Sequence, residues 1–333
     1  MSNFIQGQKA LDRLLSDVSS GTVSHAYILS GPRGIGKKTT ALIFAAALHC
    51  TGERKPCGIC PACVKHRANT HPDVSMIEPE ENGNLRIGAV RAATDELFMR
   101  PLLAERKVLI VDGADGMAAP AQNAMLKPFE EPPEYGTIVL LSENIQNILP
   151  TIRSRGVKLE LEPFSRDKIK TFVEREYPAL KDKSGFVAGY SGGIIGRARD
   201  ICEDEEFFTL RVEMFNALSG LSGMKDCIFP IAELFGINKR KVDADHRAAC
   251  FDLMLSFLGD ALALKTGGEA VNIDLIDRIR AFSSGVTAGG LTNAIERVAS
   301  TMAELNASMR YDLWIVDMLI KCWRDLHGNS SRN

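Results

Sequence analysis

The most constraining stretch of this chain is Gly31-Pro-Arg-Gly-Ile-Gly36-Lys37, because of what stands on either side of it. Before it lies a short apolar run, Ala26-Tyr-Ile-Leu-Ser30; after it, Lys38 to His49 is rich in Ala and Leu and reads as a helix. A strand that feeds a glycine loop opening a helix belongs to a parallel sheet with helices on its faces. The alternation continues to about residue 162. Asp73 to Ile77 and Thr137 to Leu141 read as strands, and Val108 to Val111 as a fully apolar one ending in Asp112. Val157 to Leu161 alternates apolar and polar, as a half-exposed strand should. Ile87 to Met99 has helical periodicity and stops before Pro101, and Ala121 to Glu131 looks helical and ends at Pro132-Pro133. Pro128 falls inside that second helix, so a kink or an early end is expected there. Ligands of such sheets sit at the carboxyl ends of the strands, where the segments after Ser30, Val111 and Leu141 all fall.

From Pro163 the pattern changes. Ser165 is a plausible helix cap, and residues 165 to about 203 read as a small helical module broken at Ser191-Gly-Gly193. From about Glu205 to Leu326 there are long amphipathic segments and no convincing strand; Gly and Ser clusters at 219–223, 267–268 and 284–290 read as turns. The fold class is thus α/β plus all-α, with boundaries at 1–163, 164–204 and 205–333. Forty Lys and Arg against 42 Asp and Glu leave a net charge of −2 over 333 residues. That balance carries no overall basic signature for nucleic acid, so any such contact is local or shared within an assembly. The N-terminus turns polar too soon for a secretory signal, and no apolar run reaches the ~20 residues of a membrane span. A cytoplasmic protein without membrane contact is expected.

The glycine loop is a phosphate-binding loop by its context. Gly31, Gly34 and Gly36 let backbone N–H groups turn inward around phosphate oxygens, the helix start adds its positive dipole end, and Lys37 reaches the outer phosphates. The next position ordinarily supplies a hydroxyl for Mg²⁺, and here it is Lys38, an ammonium with no lone pair to give. Thr39 and Thr40 follow too late, each rotated by ~100° per residue around the helix. The strand ending in Asp112 has the form that holds Mg²⁺ through water, but Gly113 follows where many ATPases of this shape carry a Glu to polarise the attacking water. Bound ATP or ADP with weakened Mg²⁺ coordination is the expectation.

Four of the eight cysteines cluster: Cys50, then Cys57-Gly-Ile-Cys60-Pro-Ala-Cys63. Four thiolates suit tetrahedral Zn²⁺ with no open position, hence a structural ion. Spacing alone does not separate zinc from an iron–sulfur cluster, and a redox dithiol or free cysteines are the bland alternatives. His49, His66 and His71 lie close enough in sequence to replace one ligand.

These features in this order resemble the clamp-loader AAA+ subunits of bacterial DNA polymerase III. The resemblance rests on the phosphate loop, the four-cysteine insertion after its helix, His71-Pro72-Asp73, Val111-Asp112-Gly113-Ala114-Asp115, Asn123-Ala-Met-Leu-Lys-Pro-Phe-Glu-Glu-Pro-Pro133 and Leu149-Pro-Thr-Ile-Arg-Ser-Arg155. It is strong from about residue 5 to 200 and only architectural beyond. It implies an AAA+ P-loop domain with a zinc module at 50–63, a small helical lid and a C-terminal collar that oligomerises. The partners it implies are γ/τ and δ subunits, the β sliding clamp and primed DNA, as part of the DNA-directed polymerase holoenzyme. Two branches carry the zinc module, the γ/τ motors and the δ′ subunits; Lys38, Gly113 and the short chain are nearer to δ′. The resemblance also implies that Arg155 is an arginine finger acting in trans, although Gly156 stands where the family usually has Cys, and that Arg197 in Gly196-Arg197-Ala198 touches nucleotide phosphates. Leu141 to Asn144 covers the sensor-1 region. The reading is then a scaffold with little or no ATP hydrolysis of its own. The alternative is an active γ/τ-like motor; a stand-alone P-loop kinase leaves the helical bundle unexplained. Arg91, Arg100, Arg106 and Lys107 are the basic residues that could face a central duplex.

Overall fold

Five apolar runs become β1 (Ala26–Ser30), β2 (Val74–Ile77), β3 (Lys107–Val111), β4 (Gly136–Ser142) and β5 (Val157–Glu160). In the computed structural model, which describes residues 7–80, 84–219, 224–237, 243–304 and 311–328, they form one sheet in the order β2-β3-β4-β1-β5. Every pairing is parallel, with Ser30 beside Ser142 and Ile77 beside Val111. Side chains alternate between the two faces, so each strand feeds two cores. Tyr27, Leu29, Val108, Ile110, Val139 and Leu141 pack under α1 (Lys9–Ser20) and α2 (Lys37–His49). Ile28, Leu109, Val111, Ile138 and Leu140 pack on the other face, against α4 (Ile87–Leu97), α5 (Ala119–Ala124), α6 (Leu126–Glu130) and α7 (Pro150–Arg153). Between α2 and β2 lies α3 (Pro61–Arg67). This is the doubly covered arrangement a parallel sheet requires.

The helix expected over 121–131 is two helices, α5 and α6, meeting at Met125. A continuous helix would need an N–H from Pro128 to the carbonyl of Ala124, and the ring would clash with that carbonyl. The break relieves both problems, because Pro128 then falls in the first turn of α6, where N–H groups have no helical acceptor.

The chain divides into two compact units. Residues 1–164 with 194–196 make the sheet unit, and residues 165–193 with 197–333 make a second one. The second is helical, with no strand among its described residues. It begins with α8 (Arg166–Glu176), capped as expected by the Ser165 hydroxyl, which accepts the Lys168 N–H. After α9 (Ser184–Tyr190), Gly192 and Gly193 take left-handed φ values of 60° and 80° and α10 (Ile195–Glu203) follows. Then come α11 (Glu205–Ser219), α12 (Met224–Leu234), α13 (Ala244–Thr266), α14 (Ile276–Ser284), α15 (Ala288–Glu304) and α16 (Tyr311–His327). Gly267 ends α13 in a left-handed cap, as a turn glycine should. The cluster at 284–290 is only partly a turn: Gly289 and Gly290 lie in the first turn of α15, and a Cβ on Gly290 would collide with the Asp325 carbonyl oxygen on α16. That glycine serves a close helix approach. The expected turn at 219–223 lies, from residue 220 on, outside the described residues.

One buried cation joins the helices before and after residue 204. Arg211 on α11 is 3% exposed, stacks 3.6 Å from the Phe186 ring centroid on α9, and donates to Asn272 Oδ1 and to both carboxylate oxygens of Asp274. Each of the three guanidinium nitrogens thereby has an acceptor, the kind of pairing a buried charge requires.

In the sheet unit the equivalent anchor is Asp73, fully buried just before β2. Its carboxylate accepts the N–H groups of Leu102 (2.6 Å), Leu103 (2.8 Å) and Ala104 (2.9 Å), fixing the approach to β3. Burial works against ionisation, but these three donors outweigh it and hold the carboxyl below its ordinary range. Stability from this group is present above the ordinary carboxylate pKa and lost as pH falls through the depressed one. Asp73→Asn is expected to lower unfolding free energy by about 1–3 kcal/mol at pH 7. Urea melts should show that gap shrinking below about pH 4; a gap unchanged at pH 3 would reject this account.

Candidate functional site

The phosphate loop leaves β1, an interior strand of the sheet. Gly31 N–H bonds the Ser142 carbonyl (3.2 Å) and Leu161 N–H bonds the Ser30 carbonyl (2.8 Å), so the loop starts from a strand held on both sides. Gly34 and Gly36 have φ of 79° and 105°, values side-chain-bearing residues rarely adopt, and Gly36 directly precedes α2. The first N–H groups of α2 have no helical acceptor, so the loop is shaped for an anion. Lys37 is buried, and its Nζ donates to the Gly31 (2.7 Å) and Pro32 (3.1 Å) carbonyls. Burial lowers its pKa, opposed by the nearby carboxylates of Glu143, Asp112 and Asp115. Among the described residues, the buried hydroxyls of Thr40 and Ser142, on α2 and at the end of β4, lack a hydrogen-bond partner.

The residues for a bound Mg²⁺ do not fit. Lys38, at the hydroxyl position, extends its ammonium to the Glu78 carboxylate just after β2. Asp112 Oδ1 accepts its neighbour's N–H from Gly113 (3.0 Å). Gly113 itself is left-handed, φ 63°, and an added Cβ would lie 3.4 Å from Pro79 Cγ. Asp115 faces elsewhere: its carboxylate accepts the N–H groups of Glu143 and Asn144 (3.2 and 2.9 Å), pinning the turn after β4. Thr39 is half-buried beside Lys38.

Arg155 follows α7. It donates to the Thr151 carbonyl (2.8 Å) and pairs with Glu130 on α6 (3.1 Å), with 38% of its side chain exposed. Arg197 belongs to the second unit, where it pairs with Asp252 (2.8 Å) and lies 4.8 Å from the Tyr190 ring centroid. Residue order alone did not point to Glu78, and it gave no role to Glu130 or Glu143, which lie in the motifs named above. Their position was the available signal: Glu78 and Glu143 each follow a strand at its carboxyl end. Of the four basic residues, Arg91 and Arg100 are exposed, Arg106 is half-buried, and Lys107 is buried and pairs with Glu96 (3.5 Å).

The four cysteines converge. Cys50, Cys57, Cys60 and Cys63 place their sulfurs within 4.8 Å of one another, with Cys57–Cys63 and Cys50–Cys60 at 4.0 Å. A tetrahedron with ~2.3 Å metal–sulfur bonds has edges of about 3.8 Å, so the set fits one ion with little movement. Backbone N–H groups point at three of the sulfurs: Gly52 and Cys57 at Cys50, Cys60 at Cys57, and Cys63 at Cys60. The N–H groups of Cys63 and Thr51 bring the Cys60 thiol down to about 6, whereas burial pushes Cys63 up to about 12. A cation among them would allow all four to ionise together. The three histidines form a separate buried stack, with His49 Nδ1 3.0 Å from His66 Nε2 and ring centroids 4.4 Å apart for His49 and His71.

Residues 6–165 match the family model described as "DNA polymerase III, delta subunit". The chain is 25% identical over 305 residues to DNA polymerase III subunit delta′ of Bacillus subtilis (strain 168), covering 90% of this chain and 91% of that protein. It is 34% identical over 336 residues to subunit gamma/tau of Mycobacterium tuberculosis (strain ATCC 25618 / H37Rv), covering 91% of this chain and 57% of that one. The chain belongs to the family of DNA polymerase III clamp-loader subunits. A 138-residue match at 40% identity, to subunit delta′ of Pseudomonas aeruginosa (strain PAO1), covers 40% of this clamp-loader chain and 42% of that relative. No helix among the described residues is long and apolar enough to cross a membrane.

Metal analysis of the purified clamp-loader chain is expected to find one ion held by sulfur. Replacing Cys60 and Cys63 together with Ser should release it and lower the melting temperature. Full metal content in that double variant would place the ion elsewhere.

Proposed function

We propose that the chain is a δ′-type subunit of the DNA polymerase III clamp loader, a scaffold that assembles with γ/τ and δ subunits to load the β sliding clamp on primed DNA. It hydrolyses little or no ATP. The observation that carries this reading is Gly113: the position after the metal-site aspartate has no side chain and a left-handed backbone, φ 63°, with Pro79 against it. No residue there can act as the base. The match to subunit delta′ over 91% of that relative supports the same branch. In this reading residues 164–204 are a lid, 205–333 a collar, and Zn²⁺ the structural ion of the cysteine module. Gly31, Gly34, Gly36, Lys37, Lys38, Thr39 and Asp112 serve a nucleotide held statically.

Arg155 is the finger offered to the neighbour. Its half-exposed guanidinium leans on one carboxylate, Glu130, and one carbonyl, so it can exchange a surface ion pair for a phosphate at small cost. At the neighbouring γ-phosphate it would stabilise charge that develops in the transition state. The second reading, an active γ/τ-like motor, draws on the 34% identity to subunit gamma/tau and on the retained Lys37 and Asp112.

Two measurements separate the readings. The isolated chain is expected to show no motor-like ATP turnover; turnover that Lys37→Ala abolishes would overturn the scaffold. In the reconstituted loader, Arg155→Ala should slow DNA-stimulated hydrolysis, since a finger is worth ~10³–10⁵ at the site it serves. An unchanged rate would remove Arg155 from that role.

A further inference from the structure

Resting on the reading that the phosphate loop holds a nucleotide, we infer that it does so without a divalent cation, the Lys38 ammonium standing in for Mg²⁺. Ile77 and Val111 are register partners, and Asp112 N–H bonds the Ile77 carbonyl (2.9 Å), so Glu78 and Asp112 leave adjacent strands at one carboxyl edge. Lys38 rises from the first turn of α2, beside the phosphate-facing Lys37, and its ammonium is held at that edge by Glu78. A positive charge is therefore held at the same carboxyl edge as the acids that would hold a metal through water.

An incoming Mg²⁺ would meet repulsion from that ammonium and find no hydroxyl in the ligand position. Mg²⁺ demands near-ideal octahedral oxygen coordination, so the loss of one ligand and the addition of one charge both act against it. The charge a triphosphate needs is present in the chain itself, as Lys37 and Lys38, with Glu78 holding the second until the ligand competes for it. Lysine suits this use, being a point charge on a flexible stem with three donors and no geometric demand. A resident lysine cation binds phosphate oxygens but activates no water, which agrees with Gly113 and the absence of a base.

The test is calorimetric titration of the full chain with ATP and with ADP, in Mg²⁺ and in EDTA. For the native chain, dissociation constants in the two conditions should agree within about threefold. Lys38→Thr restores the hydroxyl and should bind ATP at least about tenfold tighter in Mg²⁺ than in EDTA. Lys38→Met, which keeps the stem and removes the charge, should weaken binding in both conditions while leaving the melting temperature and circular dichroism native. Native binding that EDTA abolishes, or a Lys38→Thr chain as indifferent to Mg²⁺ as the parent, overturns the inference alone. No binding of either nucleotide in either condition overturns it together with the static-nucleotide reading.

Discussion

The pairing of β1 with a neighbour on each side is the interaction on which the rest depends. β4 and β5 both register against it, and bonds from Gly31 to Ser142 and from Leu161 to Ser30 carry the ladder past its last residue. The phosphate loop can be glycine-rich and still be shaped, because its first residue is fixed by the sheet and its last by α2. Phe44 and Ile35, both fully buried, complete the clamp from the helical side. Such a loop has little freedom to lose on meeting an anion. The acidic edge is placed by the same sheet, since β4 alone separates β1 from the strand that ends at Asp112.

The charges around that edge are arranged for holding. Each potential catalytic group is tied to something else: Asp115 to two backbone N–H groups, Lys38 to Glu78, Arg155 to Glu130. Pairs this exposed are individually weak, about 0–1 kcal/mol, so they hold side chains in place without locking them. The contrast is Arg211, whose pairing is buried and gives each guanidinium nitrogen an acceptor and which ties α11 to α9 and to the segment before α14. Weak ties at the pocket and a strong one in the helical unit divide adaptable from fixed parts of the molecule.

Much of this was legible in residue order. Pattern placed all five strands, the inner ones as apolar runs and β5 as an alternating, half-exposed one, and the Cys-x-x-Cys steps foretold the converging sulfurs. What could not be read depends on distance through space. Lys107 looked like one of four basic surface residues and is buried against Glu96, since a strand-end position says nothing about what covers it. Gly290 looked like a turn residue and lies in the first turn of α15, its missing side chain serving α16. Glu78 went unnoticed because its partner lies 40 positions earlier and meets it only through the sheet. Family membership, carried by the motifs of the N-terminal half, was legible well before the pocket's electrostatics were.

Gly113 has a historical implication. Any lineage that sought to regain an acid there would place a side chain in left-handed backbone, at roughly 1–2 kcal/mol, even though its Cβ would meet Pro79 only at ordinary contact distance. Relaxing the backbone instead would swing Asp115 away from the two amides it secures after β4. Reversal therefore asks for more than the one substitution, and the position behaves as a one-way door: simple to pass through, hard to retrace by single steps.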